Sequence, residues 1–142
     1  MSVTDKLLKQ IKNSRDIDTV LEQNSSDFIN PDYAELLNNL LAQKNVSKSD
    51  VIKRANLPRT YAYGFFSGEK KPNRNNILQL CFGFELTFDE TQSFLKASGF
   101  SPLYARNQRD SVIIYALENK MNIIDTNVLL DNHGMALLRE EK

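Results

Sequence analysis

The stretch from Ser47 to Pro72, SKSDVIKRANLPRTYAYGFFSGEKKP, constrains the fold more than any other part of the chain. Ser47-x-x-Asp50 is a variant capping box, which starts a helix at once. Val51, Ile52 and Ala55 recur on its inner face. Asn56 breaks that helix and Leu57 plugs the corner. Pro58 suits the first turn of a second helix, because proline lacks the N–H that such a turn leaves unpaired. Ser67-Gly68 ends the second helix, glycine accepting the left-handed conformation that a helix stop requires. Two helices this short bury little by themselves, so the rest of the chain must complete their core.

The flanking sequence is helical in pattern. Val3, Leu7, Leu8 and Ile11 share one helical face, and Ile17, Val20 and Leu21 continue it after a break near Asn13 and Ser14. Asn24, Ser25 and Ser26 interrupt the pattern, and Phe28, Ile29 and the Asn30-Pro31 step lead onward, with Pro31 suited to a first helical turn. Tyr33, Leu36, Leu37, Leu40 and Leu41 then mark a core-facing amphipathic helix. Asn73 can cap a helix whose inner face is Ile77, Leu80, Cys81 and Phe84. Thr87-x-x-Glu90 is a capping box for the next, closed by Gly99. After the Ser101-Pro102 turn, Val112 to Leu117 is nearly all apolar, which implies burial on several sides. Asn122 with Asp125 starts a last helix ending at His133-Gly134, and Leu138 to Lys142 is expected to fray. The expected architecture is all-α: an N-terminal helical arm (1–30), a five-helix domain (31–99) and a C-terminal helical hairpin (100–142).

An offset of 35 residues places Arg74 on Arg109, Thr91 on Thr126, Leu95 on Leu130 and Gly99 on Gly134. A cap with an acid three residues later recurs in both copies, so a duplicated helical hairpin is expected, stacked on the neighbouring domain.

The formal charge is zero over 142 residues, but residues 44–74 hold 8 Lys/Arg against 2 Asp/Glu. A basic window of this kind attracts a phosphate backbone whatever the global balance. A recognition helix must be short, held by a preceding helix, and free on one face. Leu57, Ala62 and Phe65 share the inward face of the helix 58–66, leaving Arg59, Thr60 and Tyr63 outward near its N-terminal end. Arg59 can offer a bidentate contact to guanine, and Thr60 can meet a thymine methyl. Lys48, Ser67, Lys70 and Lys71 are placed for phosphates.

The stretch from about Leu36 to Glu90 resembles the lambda-repressor-like (Xre-type) helix-turn-helix family. The resemblance rests on Ser47, on Val51 and Ala55, on the Asn56–Arg59 corner, and on the Ser67-Gly68-Glu69-Lys70-Lys71-Pro72 close. It implies a five-helix DNA-binding domain, with Arg74 reaching toward the minor groove as a further phosphate contact. Asn56 stands where the family usually has Gly, and Ile52 where it has a small Ala. Leu41 and Phe66 replace a frequent Arg–Glu pair. Gly64 leaves a position that often contacts bases without a side chain.

The implied function is a sequence-specific transcriptional regulator bound to double-stranded DNA as a homodimer, with the C-terminal helices supplying dimer or partner contacts. The alternative is a protein-binding adaptor or antitoxin-like partner on the same fold, with Tyr61 and Tyr63 facing a protein. An enzyme is not expected: there is no Walker A, GxSxG or GxGxxG stretch, His133 is the only histidine, and Cys81 reads as core filler. Asp16, Asp18 and Glu22 lack metal-loop spacing, so no metal and no cofactor are expected. No secretory pattern opens the chain and no apolar run is long enough for a membrane, so a cytoplasmic location is expected.

Overall fold

The computed structural model describes residues 2–24 and 31–139. The readings of Ser25, Ser26, Phe28, Ile29 and Asn30, and of the tail from residue 140 on, lie outside the described residues. Among these residues the chain is all-α, with nine helices and no strand: α1 (Val3–Asn13), α2 (Ile17–Gln23), α3 (Tyr33–Lys44), α4 (Lys48–Arg54), α5 (Arg59–Ser67), α6 (Arg74–Gly83), α7 (Phe88–Ala97), α8 (Gln108–Glu118) and α9 (Ile123–Asn132). The chain divides into two compact units, 1–30 and 31–142.

In the first unit α1 is capped by Ser2, whose hydroxyl accepts from the Asp5 amide, and α2 by Asp16. Asn24 donates to the Gln10 side chain at 2.5 Å and closes the hairpin. Val20 is the one described residue of this unit that is buried.

The second unit is built around α6, in which Asn76 to Gly83 are all buried. A helix apolar or buried all round belongs in the middle of a domain. The sequence had pointed instead to the apolar run in α8. There Ile113, Ala116 and Leu117 are buried and Val112 and Ile114 are half-buried against the core, as that run implies, while Tyr115 is left 57% exposed on the remaining side. The difference arises because α4, α7 and α9 all pack against α6. Gly83 lets α4 come close, since a Cβ there would lie 2.4 Å from the Val51 carbonyl oxygen on α4. Leu103, Ile113, Leu117, Ile123, Leu130 and Leu138 join the same core as Leu37, Val51, Phe65 and Ile77.

Four helix–helix corners share one construction. Asn45, Asn56, Glu85 and Lys120 have φ of +54°, +56°, +56° and +53°. In each, the next residue is apolar and its amide returns to the carbonyl five residues back: Val46 to Leu41, Leu57 to Ile52, Leu86 to Cys81, Met121 to Ala116. This is the Schellman closure, which satisfies carbonyls that a helix end leaves open. The residue after it caps the following helix: Ser47, Pro58, Thr87 or Asn122. Pro58 is therefore the N-cap of α5, one place before the expected first turn. Asp32 caps α3, which places Pro31 outside that helix.

The 35-residue offset holds at the level of hydrogen bonds. Arg74 donates from Nε to the Ser101 carbonyl at 3.0 Å and from Nη2 to the Pro102 carbonyl at 3.3 Å. Arg109 donates likewise to Ala136 at 2.8 Å and Leu137 at 3.1 Å. The Gln92 amide brackets both backbone groups of Leu103, and the Asn127 amide brackets those of Leu138. Leu138 is consequently 0% exposed, and the expected fraying does not begin there.

Candidate nucleic-acid interface

The site is assembled on α5 from the corner outward. Ala62, Phe65 and Phe66 are buried, which turns Thr60, Tyr63, Gly64 and Ser67 to the opposite side. The buried side is held by α3 and α6. Asn38 of α3 donates to the Phe66 carbonyl at 3.0 Å, and the Tyr61 hydroxyl reaches the Asn76 side chain of α6 at 3.4 Å. Tyr61 also meets Phe65 edge to face. These contacts fix both the axis and the rotation of the helix.

Two cation–aromatic pairs bracket the outward face. Arg59 lies over the Tyr63 ring, 5.6 Å from its centroid. Lys70 lies over the Tyr61 ring at 5.1 Å. Gly68, at φ +88°, reverses the chain after α5, and the Lys70 amide returns to the Gly64 carbonyl at 3.0 Å. The Lys70 side chain then runs across Gly64, where a Cβ would stand 2.8 Å from Lys70 Cδ and 2.9 Å from Cγ. Gly64 is thus buried, and it is no gap in the face. Its missing side chain is the seat of the Lys70 methylenes, which hold the ammonium at the surface.

Among the expected contact residues, Arg59, Thr60, Ser67, Lys70 and Lys71 are exposed and Tyr63 is half-buried. Ser67 Oγ donates to the Gly64 carbonyl and accepts from the Glu69 amide, so it helps close the helix. Lys48, at the start of α4, is exposed and lies 5.8 Å from the Phe66 ring centroid, beside the C-terminal end of α5. Tyr61 and Tyr63 are half-buried with a cation over each ring, which lowers their value as aromatic anchors for a protein.

Arg74 stands apart. Besides its two backbone carbonyls, its guanidinium pairs with Asp110 at 3.2 Å, and Asp110 is buried. The family resemblance sends Arg74 toward DNA; the fold uses it to tie α6 to α8. Lys44 and Arg54, two further members of the basic window, pair with Glu90 and Glu85. Glu90 is held below its ordinary value by the hydrogen bonds from Lys44 and from the Thr87 amide. The basic window therefore loses three cations to internal pairs. Lys48, Lys53, Arg59, Lys70 and Lys71 remain, and Lys53 was not singled out from the sequence.

The other candidate groups sit in structural roles. Cys81 is fully buried, and burial pushes its thiol up to about 12, far from nucleophilic at neutral pH. His133 Nδ1 lies 2.8 Å from the Leu129 carbonyl at the end of α9. No helix of the described residues is long and apolar enough to cross a membrane. No family model, curated protein or solved structure matches the chain.

Proposed function

We propose that the chain is a sequence-specific DNA-binding transcriptional regulator, cytoplasmic and without enzymatic activity, that lays α5 in the major groove. The helices α3–α7 would form the five-helix lambda-repressor-like arrangement that the motif implies. The observation that carries this reading is the outward face of α5, where Arg59 and Lys70 are exposed yet positioned over aromatic rings. Cations with little conformational freedom left to lose suit base and phosphate contacts. Arg59, Thr60 and Tyr63 would read base edges, and Lys48, Ser67, Lys70 and Lys71 would hold phosphates. Arg74 is left out of this set because its guanidinium is occupied.

The test is fluorescence anisotropy on duplex DNA across a salt series. Log affinity should fall by ~0.9 per phosphate contact for each unit of log salt, so three lysine contacts give a slope of about −3. Lys70→Glu with Lys71→Glu should remove about two of those units. An unchanged slope would refute the phosphate assignment. A folded protein that binds no duplex at low salt would refute the DNA reading.

A second reading, a protein-binding adaptor or antitoxin-like partner, is favoured by one observation on the C-terminal hairpin. Tyr115 of α8 and Ile124 and Val128 of α9 are each more than half exposed, and the last two are one turn apart.

A further inference from the structure

We propose that the N-terminal hairpin α1–α2 is a homodimerisation element, in which the apolar faces of two copies close into a four-helix bundle with α1 of each copy along α2 of the other. This goes beyond the DNA reading: a chain that bound no DNA would still dimerise in this way.

The hairpin is well formed at its ends and unfinished on one face. Ser2, Asp16 and the Asn24–Gln10 bond satisfy its termini. Yet Val3 is 52% exposed, Leu8 48%, Ile11 45%, Ile17 54% and Leu21 46%. At helical spacing Val3, Leu7 and Ile11 stand in one row with Leu8 beside it, and Ile17 and Leu21 are one turn apart on α2. Five large aliphatic side chains left about half exposed in one short hairpin are more than scattered surface apolar residues, and such a concentration marks an interface. Helices of 11 and 7 residues are marginal in water on propensity alone, so covering that surface would stabilise both.

Charge selects the occupant. Helix α1 carries Lys6, Lys9 and Lys12 against Asp5, whereas α2 with its cap carries Asp16, Asp18 and Glu22 and no Lys or Arg. A partner of one sign would be repelled by one of the two helices. A second copy, turned about a two-fold axis, brings the basic helix against the acidic one on both seams at once. Lys6 follows Val3 and Lys12 follows Leu8 by one turn, and Asp18 stands one turn before Leu21, with Glu22 one turn beyond Asp18. These charges therefore rim the apolar faces, as the flanking positions of a coiled coil do.

Sedimentation velocity on the full chain, from about 1 to 100 µM, tests the proposal. The wild type should show a concentration-dependent dimer, and Leu8→Glu with Ile11→Glu should raise its dissociation constant at least ~10-fold. Circular dichroism would confirm that the rest of the chain stays folded. Lys6→Glu with Lys12→Glu makes both helices acidic, and Asp18→Lys with Glu22→Lys makes both basic. Each charge variant should lose self-association, and a mixture of the two should form a heterodimer. A wild type that is monomeric throughout would overturn the proposal. So would a dimer indifferent to all these substitutions, or charge variants that fail to pair when mixed. Salt-dependent DNA binding is read separately by anisotropy, so failure of one reading leaves the other standing or falling on its own data.

Discussion

Replacing Gly83 by alanine sets a steric demand against an intrinsic preference, and the structure says which wins. Alanine gains ~1 kcal/mol over glycine inside a helix. Against this, the new Cβ would sit 2.4 Å from the Val51 carbonyl oxygen, 3.0 Å from Ala55 Cβ and 3.1 Å from Val51 Cγ1. Carbon–oxygen contacts ordinarily begin near ~3.3 Å, so α4 would have to retreat by about 1 Å. Val51 and Ala55 are both 0% exposed, and the clash is with backbone, so no side-chain rotation relieves it. Overpacking of this kind costs ~1–3 kcal/mol. The retreat also weakens the bond from Arg54 Nε to the Gly83 carbonyl, now 2.9 Å, of a charge-assisted class worth ~1.5–3 kcal/mol. Gly83→Ala should therefore destabilise by about 2–4 kcal/mol and lower Tm by about 10 °C. Urea unfolding followed by circular dichroism reads the effect as a lower midpoint at unchanged slope. Equal or greater stability in the variant would refute the close approach of α4 and α6. Gly64→Ala is the internal contrast. Its new Cβ meets only Lys70 methylenes, which can swing away, so stability should change by less than ~1 kcal/mol. Lys70 would nevertheless leave its place over Tyr61, and on the proposed function duplex affinity should fall.

Two further outcomes follow from the ion pairs. Asp110→Ala leaves the Arg74 guanidinium without its carboxylate and the Tyr104 amide without its acceptor. With the Arg74 side chain 27% exposed, the cost should be about 2–3 kcal/mol by urea unfolding, below the range for fully buried pairs. An unchanged midpoint would remove Arg74 from the scaffold and return it to the DNA-facing set. Glu90 titrates lower in the folded chain than its ordinary 4.5, so its contribution is complete above 4.5 and is lost as pH falls through the lowered value. Lys44→Ala should flatten that acid-side loss of stability, and the same pH profile in both proteins would show that the pair contributes nothing.

The helix starts were legible because a cap is a local event. Ser47, Asn73, Thr87 and Asn122 each accept from the amide three residues on, so cap and partner sit side by side in the sequence. The inward positions Leu57, Ala62 and Phe65 followed from helical spacing for the same reason. The 35-residue offset was visible as a few repeated residues; the arginine and amide clamps that give it physical meaning were not, since Gln92 and Asn127 do the same work with different side chains. Glu85 and Lys120 carry no local sign of positive φ, and the closures around them are set by the packing of the helices they join. Lys70 was placed on the surface by its charge, but its position across Gly64 depends on the turn at Gly68. Arg74 was assigned to a phosphate by motif, yet its partner Asp110 lies 36 residues away. The sequence by itself determined that this chain is helical, where several helices begin, and which window is basic. Only the tertiary structure decided which cations of that window remain available, because an ion pair between distant residues exists only once the helices that carry them have packed.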